Sequence, residues 1–151
     1  MIITPHILAG AAIGSRVHNY WEVAILALLS HYVLDLIPHC EYDEAVKLRE
    51  AGKEKLIGHF LKIAIDFLSG IFIIILFSGN LYDYGYVLTG MFFGILPDIL
   101  SYSRYVVSFK FLDYHYKFHK LLHFWKKKNI PDWIKISTQV AISLIAIWII
   151  K

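Results

Sequence analysis

The sequence has few charged residues and a single cysteine. Only 18% of its 151 residues are charged, whereas soluble domains average about 25%, so an ordinary water-soluble enzyme is not expected. Cys40 alone cannot form a disulfide framework or a thiolate-rich metal site. The net charge of +3 is too small to indicate a nucleic-acid-binding protein. The amino-terminal residues have no basic segment and no small-residue cleavage site, so we expect no removable signal peptide.

Hydrophobic residues make up 58% of the chain and aromatic residues 16%, and the mean hydropathy is +0.55. Long apolar runs rich in aromatic side chains are the opposite of a disordered composition. The length suits one domain, so we predict a single integral membrane domain over residues 1–151. The chain also carries eight histidines, and ionisable side chains within membrane helices usually mark functional sites.

Apolar runs along the chain predict an all-α protein. Because a helix needs roughly 20 apolar residues to cross a bilayer, the runs are typical of a polytopic bundle of about five membrane helices. A further segment mixes aromatic residues with lysines, which indicates an amphipathic helix on the cytoplasmic membrane surface. The predicted membrane helices cover residues 3–17, 21–38, 60–79, 84–100 and 133–150, and the amphipathic helix covers residues 105–127.

Basic residues are distributed unevenly between the loops. Lysine and arginine are frequent in residues 40–59 and 101–130 and absent from residues 80–83. Since loops rich in basic residues stay in the cytoplasm, we predict a multi-pass protein of the inner (cytoplasmic) membrane with a cytoplasmic amino terminus. We expect the lysines to bind anionic phospholipids of the inner leaflet and not nucleic acid.

In this topology, histidines and aspartates gather at the cytoplasmic ends of the helices. His31, Asp35 and His39 follow one another at intervals of four residues and share one helix face, a spacing that lets imidazole and carboxylate bind the same divalent ion. Pro38 is expected to kink or end that helix. The predicted metal ligands are His6, His31, Asp35, His39, Asp66, Asp98, His119 and His123.

Two further patterns concern how these residues meet. His115, His119 and His123 repeat the four-residue spacing within the amphipathic helix, where each ring is either a metal ligand or an interfacial side chain. A weak internal repeat relates the helix that starts near His6 to the helix that contains Asp66. It predicts that His6 faces Asp66 and that Asp35 faces Asp98, a pairing suited to two metal ions.

Glycines spaced four residues apart occur in two of the predicted helices. They are Gly10 with Gly14, and Gly90 with Gly94. Such pairs are typical of helices whose backbones approach closely in a membrane. We therefore expect close helix packing at these positions, which would bring the polar cytoplasmic ends of the helices together.

Three short segments combine histidine or aspartate with proline or glycine: TPHILAG at residues 4–10, SHYVLDLIPH at residues 30–39 and GILPD at residues 94–98. They resemble motifs of the small bacterial and archaeal inner-membrane proteins classed as membrane-bound metal-dependent hydrolases. More distantly, the second segment is similar to the zinc-ligand helix of zinc-dependent phospholipase C. This resemblance implies that His31 and Asp35 bind zinc, with His39 as a further candidate. Compared with the phospholipases, the spacing from Asp35 to His39 is shorter, and the Pro-Asp motif follows the His-Asp motif instead of preceding it.

The combined prediction is a metal-dependent hydrolase that cleaves a phosphoester of a lipid or lipid-linked substrate at the cytoplasmic face. The histidines favour zinc, and manganese or magnesium would be favoured if aspartates dominate the ligand set. One of Asp35, Asp66 and Asp98 would act as general base. A histidine such as His119 would act as acid to the leaving oxygen.

Two other functions are compatible with the sequence. A metal-ion carrier or sensor would need polar residues along a whole path, and the outer halves of the third and fourth predicted helices have no ionisable residue, which argues against a carrier. A non-enzymatic membrane assembly factor would use the basic amphipathic helix to bind a partner. Nothing in the sequence tests this last function.

Overall fold

The described residues of the chain are helical, as the apolar periodicity predicts. The computed structural model describes residues 1–42, 53–78, 84–104, 107–123 and 129–151, and this part of the chain contains no β-strand. The helices are α1 (Ile3–Arg16), α2 (Tyr20–Asp35), α3 (Lys53–Phe77), α4 (Tyr84–Ser103), α5 (Lys110–Leu122) and α6 (Asp132–Ile150).

Among the described residues, three helices are long and apolar enough to cross a membrane, which is consistent with a membrane protein. They are Ile57–Phe77 within α3, the whole of α4 and the whole of α6. Many of their apolar side chains are exposed, for example Ile75 at 69%, as expected of side chains that face lipid. Helices α1 and α2 have 14 and 16 residues, fewer than the roughly 20 that a simple crossing requires. The predicted count of five membrane helices therefore stays a prediction.

Several helix boundaries differ from those predicted. Helix α2 ends at Asp35 and not at residue 38, because the chain tightens into a turn in which Leu36 N donates to Val33 O and Ile37 N to Leu34 O. Pro38 then prevents further helix, so His39 lies beyond the helix. Helix α3 begins at Lys53, before the expected residue 60, and α4 continues to Ser103 instead of ending at residue 100. The amphipathic helix is shorter than predicted, because α5 covers only Lys110–Leu122 while residues 107–109 and His123 are described and not helical. Residues 105–106 and 124–128 lie outside the described residues.

Helix α1 is the central element and packs against α2, α3, α4 and α6. Its contact with α4 is unusually close. A Cβ atom on Gly10 would lie 2.1 Å from Gly90 O, and one on Gly14 would lie 2.3 Å from Tyr86 O. Only glycine fits such an approach, so the structure confirms the close packing predicted from the glycine spacing.

The two ends of the molecule carry different kinds of polar side chain. At one end, the Arg16 guanidinium at the end of α1 donates to Ile149 O near the end of α6, and the rings of Tyr20 and Tyr86 are 4.3 Å apart. The start of α1 and the ends of α2 and α4 therefore meet at the other end. That end carries the polar side chains described next.

Candidate metal centre

Asp35, the last residue of α2, is enclosed by imidazole rings. Its side chain is fully buried, and His31 lies one turn earlier on the same helix face. The other rings come from α1, α5 and the chain segments that follow α2 and α5. The surrounding ring nitrogens are, at Oδ2, His31 Nε2 (3.1 Å), His119 Nε2 (2.8 Å) and His123 Nε2 (3.4 Å), and, at Oδ1, His6 Nε2 (3.3 Å) and His39 Nε2 (3.9 Å). The amino-terminal ammonium of Met1, also buried, donates to Oδ1 at 3.2 Å.

A second carboxylate approaches the same ring nitrogens from α4. Asp98 Oδ1 lies 3.9 Å from His31 Nε2 and 3.8 Å from His119 Nε2. The Asp98 side chain is 15% exposed, whereas that of Asp35 is fully buried. The two aspartates therefore converge on one pair of imidazoles, and Asp98 lies on the more open side.

Three overlapping groups of side chains have ligand atoms close enough to hold a metal ion. Within each group the ligand atoms all lie within 4.8 Å of one another. Because His31 and Asp35 each belong to two groups, the groups form one continuous set, which we call the histidine–aspartate cluster. The groups are His6, His31 and Asp98; His31, Asp35 and His119; and Asp35, His39 and His123.

Backbone carbonyls orient two of these rings as a metal site requires. His31 Nδ1 lies 2.7 Å from Gly94 O, and His39 Nδ1 lies 2.6 Å from Ile37 O. Since a carbonyl oxygen only accepts, each Nδ1 donates its proton, and a neutral ring then directs the lone pair of Nε2 towards Asp35. A carboxylate and a lone pair repel unless a cation lies between them. The same carbonyl contact fixes the tautomer of metal-binding histidines in known metalloproteins.

His6 provides an independent test of whether the cluster fits a metal. The residue is 1% exposed, and neither ring nitrogen makes a well-formed hydrogen bond with the described residues, although Nε2 lies 3.3 Å from Asp35 Oδ1. Its ring stacks on that of His31, with centroids 4.0 Å apart. A buried polar atom without a partner costs about 1–3 kcal/mol, and coordination of a cation by Nε2 would remove that cost at one nitrogen. The donor set therefore fits a divalent metal ion.

Ser101 and Tyr32 hold the rings that α5 contributes. Ser101 Oγ lies 2.9 Å from His119 Nδ1 and 3.4 Å from His115 Nδ1, and Tyr32 Oη lies 3.2 Å from His115 Nε2. His115 thus supports its neighbours and belongs to none of the three groups. Sequence reasoning missed Ser101, although its position three residues after Asp98 places both on one face of α4.

Glu41 is a second residue that sequence reasoning missed. Its Oε1 lies 2.7 Å from His123 Nδ1 and 3.3 Å from His39 Nε2. Burial would lower the pKa of His123, but Asp35 and Glu41 outweigh burial and raise that pKa to about 9. Burial lowers the pKa of His39 against the opposing effect of Glu41. The only sequence signal for Glu41 is an acidic residue just beyond the Pro-His pair.

Asp66 lies apart from the cluster and caps helix α1. Its Oδ2 accepts hydrogen bonds from Ile3 N (2.6 Å), Thr4 N (3.1 Å) and the Tyr42 hydroxyl, and its Oδ1 accepts one from Thr4 Oγ1 (2.6 Å). The first backbone N–H groups of a helix lack partners within the helix, so a carboxylate there is stabilising. The structure does not bring Asp66 into any of the three groups, and its described hydrogen bonds are with Ile3, Thr4 and Tyr42.

Helix α6 fixes the segment that carries His39. Thr138 Oγ1 donates to Pro38 O, and Gln139 Nε2 donates to Cys40 O at 2.8 Å. Both carbonyls lie in the non-helical chain after α2, where backbone groups need partners from elsewhere. The polar start of an otherwise apolar helix therefore helps to hold His39 near Asp35.

No family model, curated protein or solved structure matches the chain. The resemblance to membrane-bound metal-dependent hydrolases and to zinc-dependent phospholipase C therefore stays a prediction.

Proposed function

We propose that this protein is a membrane-embedded, metal-dependent hydrolase that cleaves a phosphoester of a lipid or lipid-linked substrate at the cytoplasmic face. The observation that carries the proposal is the fully buried Asp35 carboxylate, faced by the ring nitrogens of five histidines. Burying a carboxylate is costly unless a cation or hydrogen bonds compensate it. The Met1 ammonium is one such cation at Oδ1, and the rings around Oδ2 are placed to hold another. Ligands gathered beside helices able to span a membrane favour a substrate that itself resides in the membrane.

The histidine–aspartate cluster would hold the metal. Imidazole ligands favour zinc, while manganese or magnesium would rely more on Asp35 and Asp98. When bound, such an ion supplies Lewis acidity to a phosphoryl oxygen and favours deprotonation of water near neutral pH. The overlap of the three groups through His31 and Asp35 is compatible with one ion or with two that share ligands.

Among the catalytic candidates, Asp98 is the best placed to accept a proton from water. It is the more exposed of the two aspartates in the cluster, and its Oδ1 faces the same ring nitrogens as Asp35. His119, held at Nδ1 by Ser101, is the candidate that protonates the leaving oxygen. Asp35 is enclosed by imidazoles and suits a ligand, and Asp66 is engaged with the start of α1.

The distribution of basic and aromatic residues supports a cytoplasmic orientation of the cluster. Lys110 and Lys117 lie on α5 beside the cluster, and basic residues favour the cytoplasmic side. Trp133 at the start of α6 is 70% exposed near the same end, while Trp148 near the end of α6 is 77% exposed at the opposite end. Exposed tryptophans at both ends are typical of residues that anchor a membrane helix at its two interfaces.

Metal analysis of detergent-purified protein tests the ligand set. We expect bound zinc in the wild-type protein and loss of that zinc in His31→Gln and Asp35→Asn, which remove a ligand while largely keeping side-chain size. His18→Gln is the matched control, because His18 is exposed and belongs to none of the three groups. Unchanged zinc in both cluster variants would contradict the proposed site.

Catalysis requires a second measurement. Metal-loaded protein in mixed micelles is incubated with a panel of phospholipids and lipid-linked phosphates, and the release of phosphate or headgroup is measured. We expect release by the wild-type protein and its loss in Asp98→Asn. Metal binding without release from any member of the panel would favour the carrier or sensor over the hydrolase.

A further inference from the structure

Helix α5 exposes an apolar stripe along one face, where only the Phe118 ring also contacts Tyr32 of α2, with ring centroids 5.5 Å apart, among the contacts described. Phe111, Tyr114, Phe118 and Leu121 are between 51% and 73% exposed. Their spacing of three and four residues places them on one helix face. Phe109, 65% exposed, extends the apolar surface at the start of the helix. A contiguous row of large apolar side chains usually marks a surface that contacts a partner or a membrane.

The other two sides of α5 have distinct roles. Leu112 and His119 are buried and face the protein, with His119 in the cluster. The remaining side is polar and carries three basic residues against one acidic residue. In order along the helix these residues are Lys110, Asp113, Lys117 and Lys120. Helices with an apolar side and a lysine-rich side lie in the plane of a membrane interface, with lysines near anionic headgroups.

The position of α5 along the chain supports the view that a membrane surface covers the stripe. Helix α4 ends at Ser103 and α6 begins at Asp132, and both are long and apolar enough to cross a membrane. If the chain leaves the bilayer after α4 and enters it again at α6, the connection lies at one surface. Trp133, exposed at the start of α6, is the type of residue found at that interface.

We infer that α5 is seated in the interface of an anionic leaflet. The stripe formed by Phe111, Tyr114, Phe118 and Leu121 lies among the upper acyl chains, and Lys110 and Lys117 contact lipid phosphates. Because His119 lies on the protein side of the same helix, this seating puts the cluster at headgroup depth. The inference rests on the membrane location in the proposed function. It deepens that function, because it places the cluster at the depth where phospholipid headgroups lie.

Depth measurement by electron paramagnetic resonance tests this seating directly. In a Cys40→Ser background, nitroxide labels are attached to Tyr114→Cys and Phe118→Cys on the apolar stripe and, as matched controls on the same helix, to Lys117→Cys and Asp113→Cys. Each labelled protein is reconstituted in vesicles that contain phosphatidylglycerol. Collision with oxygen and collision with a water-soluble nickel complex are then compared for every label.

We expect the stripe labels to favour oxygen and the control labels to favour the nickel complex, with stripe labels about 5–10 Å below the headgroup boundary. Equal exposure of all four labels to nickel would overturn the inference, because α5 would then lie in water. Stripe labels shielded from both reagents would overturn it as well, because a protein would then cover the stripe.

A second set of vesicles tests whether the seating of α5 requires anionic headgroups. In vesicles of phosphatidylcholine alone, and in Lys110→Gln/Lys117→Gln protein in the anionic vesicles, we expect the Phe118→Cys label to shift towards the aqueous phase. Lys135→Gln is the control, because Lys135 lies on α6 and pairs with Asp132. This substitution should leave the depth of the Phe118→Cys label unchanged. No shift in either case would overturn the role of anionic headgroups. None of these measurements involves hydrolysis, so failure of the catalytic proposal is recognised separately.

Discussion

The groups around Asp35 limit how its charge is compensated. The amino-terminal ammonium of Met1 lies 3.2 Å from Oδ1, and five charged rings within 3.9 Å of the carboxylate oxygens would repel one another and this ammonium. Neutral rings instead direct lone pairs at one another as well as at the carboxylate. His31 Nε2 and His119 Nε2, for example, are 3.1 Å apart. Coordination to a shared cation satisfies several lone pairs at once, which a proton cannot do.

Ser101 gives a prediction at the scale of one residue. Ser101→Ala removes the hydroxyl that lies 2.9 Å from His119 Nδ1, so the ring loses its fixed orientation towards Asp35. We expect zinc affinity to fall roughly 10-fold, as is typical when a group that orients a metal ligand is removed. Titration with a competing chelator measures the affinity. Ser103→Ala is the control, because Ser103 Oγ bonds only Ile99 O within the same helix among the contacts described, and should leave affinity unchanged.

Asp66 gives a second prediction at this scale, which separates a cap from a ligand. Asp66→Asn keeps the size of the side chain but removes the charge that favours the N–H groups of Ile3 and Thr4. We expect a loss of about 1 kcal/mol in stability, because the negative charge at the helix start is lost and one acceptor oxygen becomes an N–H donor that faces other donors. The unfolding temperature in detergent should therefore be lower. The zinc content of purified protein should stay the same.

Loss of zinc without loss of stability would instead support the sequence-based prediction that Asp66 is a metal ligand. If Asp66→Asn loses zinc while its unfolding temperature is that of the wild-type protein, Asp66 is a metal ligand. Thr4→Val provides the matched comparison, because Thr4 Oγ1 donates to Asp66 Oδ1 and a neutral hydroxyl is a weak metal ligand. As a cap contact, it should lower stability in the same direction.

At the scale of the helices, the contact between α1 and α4 determines where the ligands meet. A Cβ atom on Gly94 would lie 2.8 Å from His6 O, and Gly94 O accepts the hydrogen bond of His31 Nδ1. One close backbone approach thus brings together the parts of α1, α2 and α4 that carry His6, His31 and Asp98. The glycines are therefore part of the architecture of the metal site.

Gly90→Ala tests this helix contact. A Cβ atom at this position would lie 2.0 Å from Gly10 O, which is backbone and cannot move aside without separating the helices. We expect a loss of about 1–3 kcal/mol in stability, the usual cost of overpacking, together with weaker zinc binding. Thermal unfolding and chelator competition measure the two effects.

Gly58→Ala is the matched control for the glycine contact. A Cβ atom on Gly58, within α3, would meet no atom within 4 Å, and alanine is the better helix former by about 1 kcal/mol. This variant should be as stable as the wild-type protein or slightly more stable. If Gly90→Ala behaves in the same way, the close approach of α1 and α4 does not hold in solution.

For the whole molecule, metal binding and folding are expected to be coupled. The ligands come from α1, α2, α4, α5 and the segment after α2, so an ion would bind the folded state and not the unfolded chain. Zinc at 100 times its dissociation constant should then stabilise the protein by about 2.7 kcal/mol. We expect a higher unfolding temperature with zinc, a lower one after chelation, and no response in Asp35→Asn. A wild-type protein that does not respond to zinc would contradict the coupling.

Much of the local structure could be predicted from the sequence, because it depends on neighbouring residues. The three-to-four-residue period of the apolar and histidine positions predicts helices, and Pro38 predicts the end of α2. The glycine spacing predicts the close packing of α1. The helix boundaries were less accurate, since the tight turn at Leu36 and the early start of α3 at Lys53 leave no clear mark in the local pattern.

The sequence by itself determined that the chain is helical and apolar, and which ends of its helices carry histidines and aspartates. Only the tertiary structure decided which of these side chains meet. Asp66 caps a helix that begins about 60 positions earlier, Ser101 orients His119, and Glu41 joins His39 and His123. These contacts form between segments distant in the chain, so they depend on how helices pack and not on the residues that precede or follow each position.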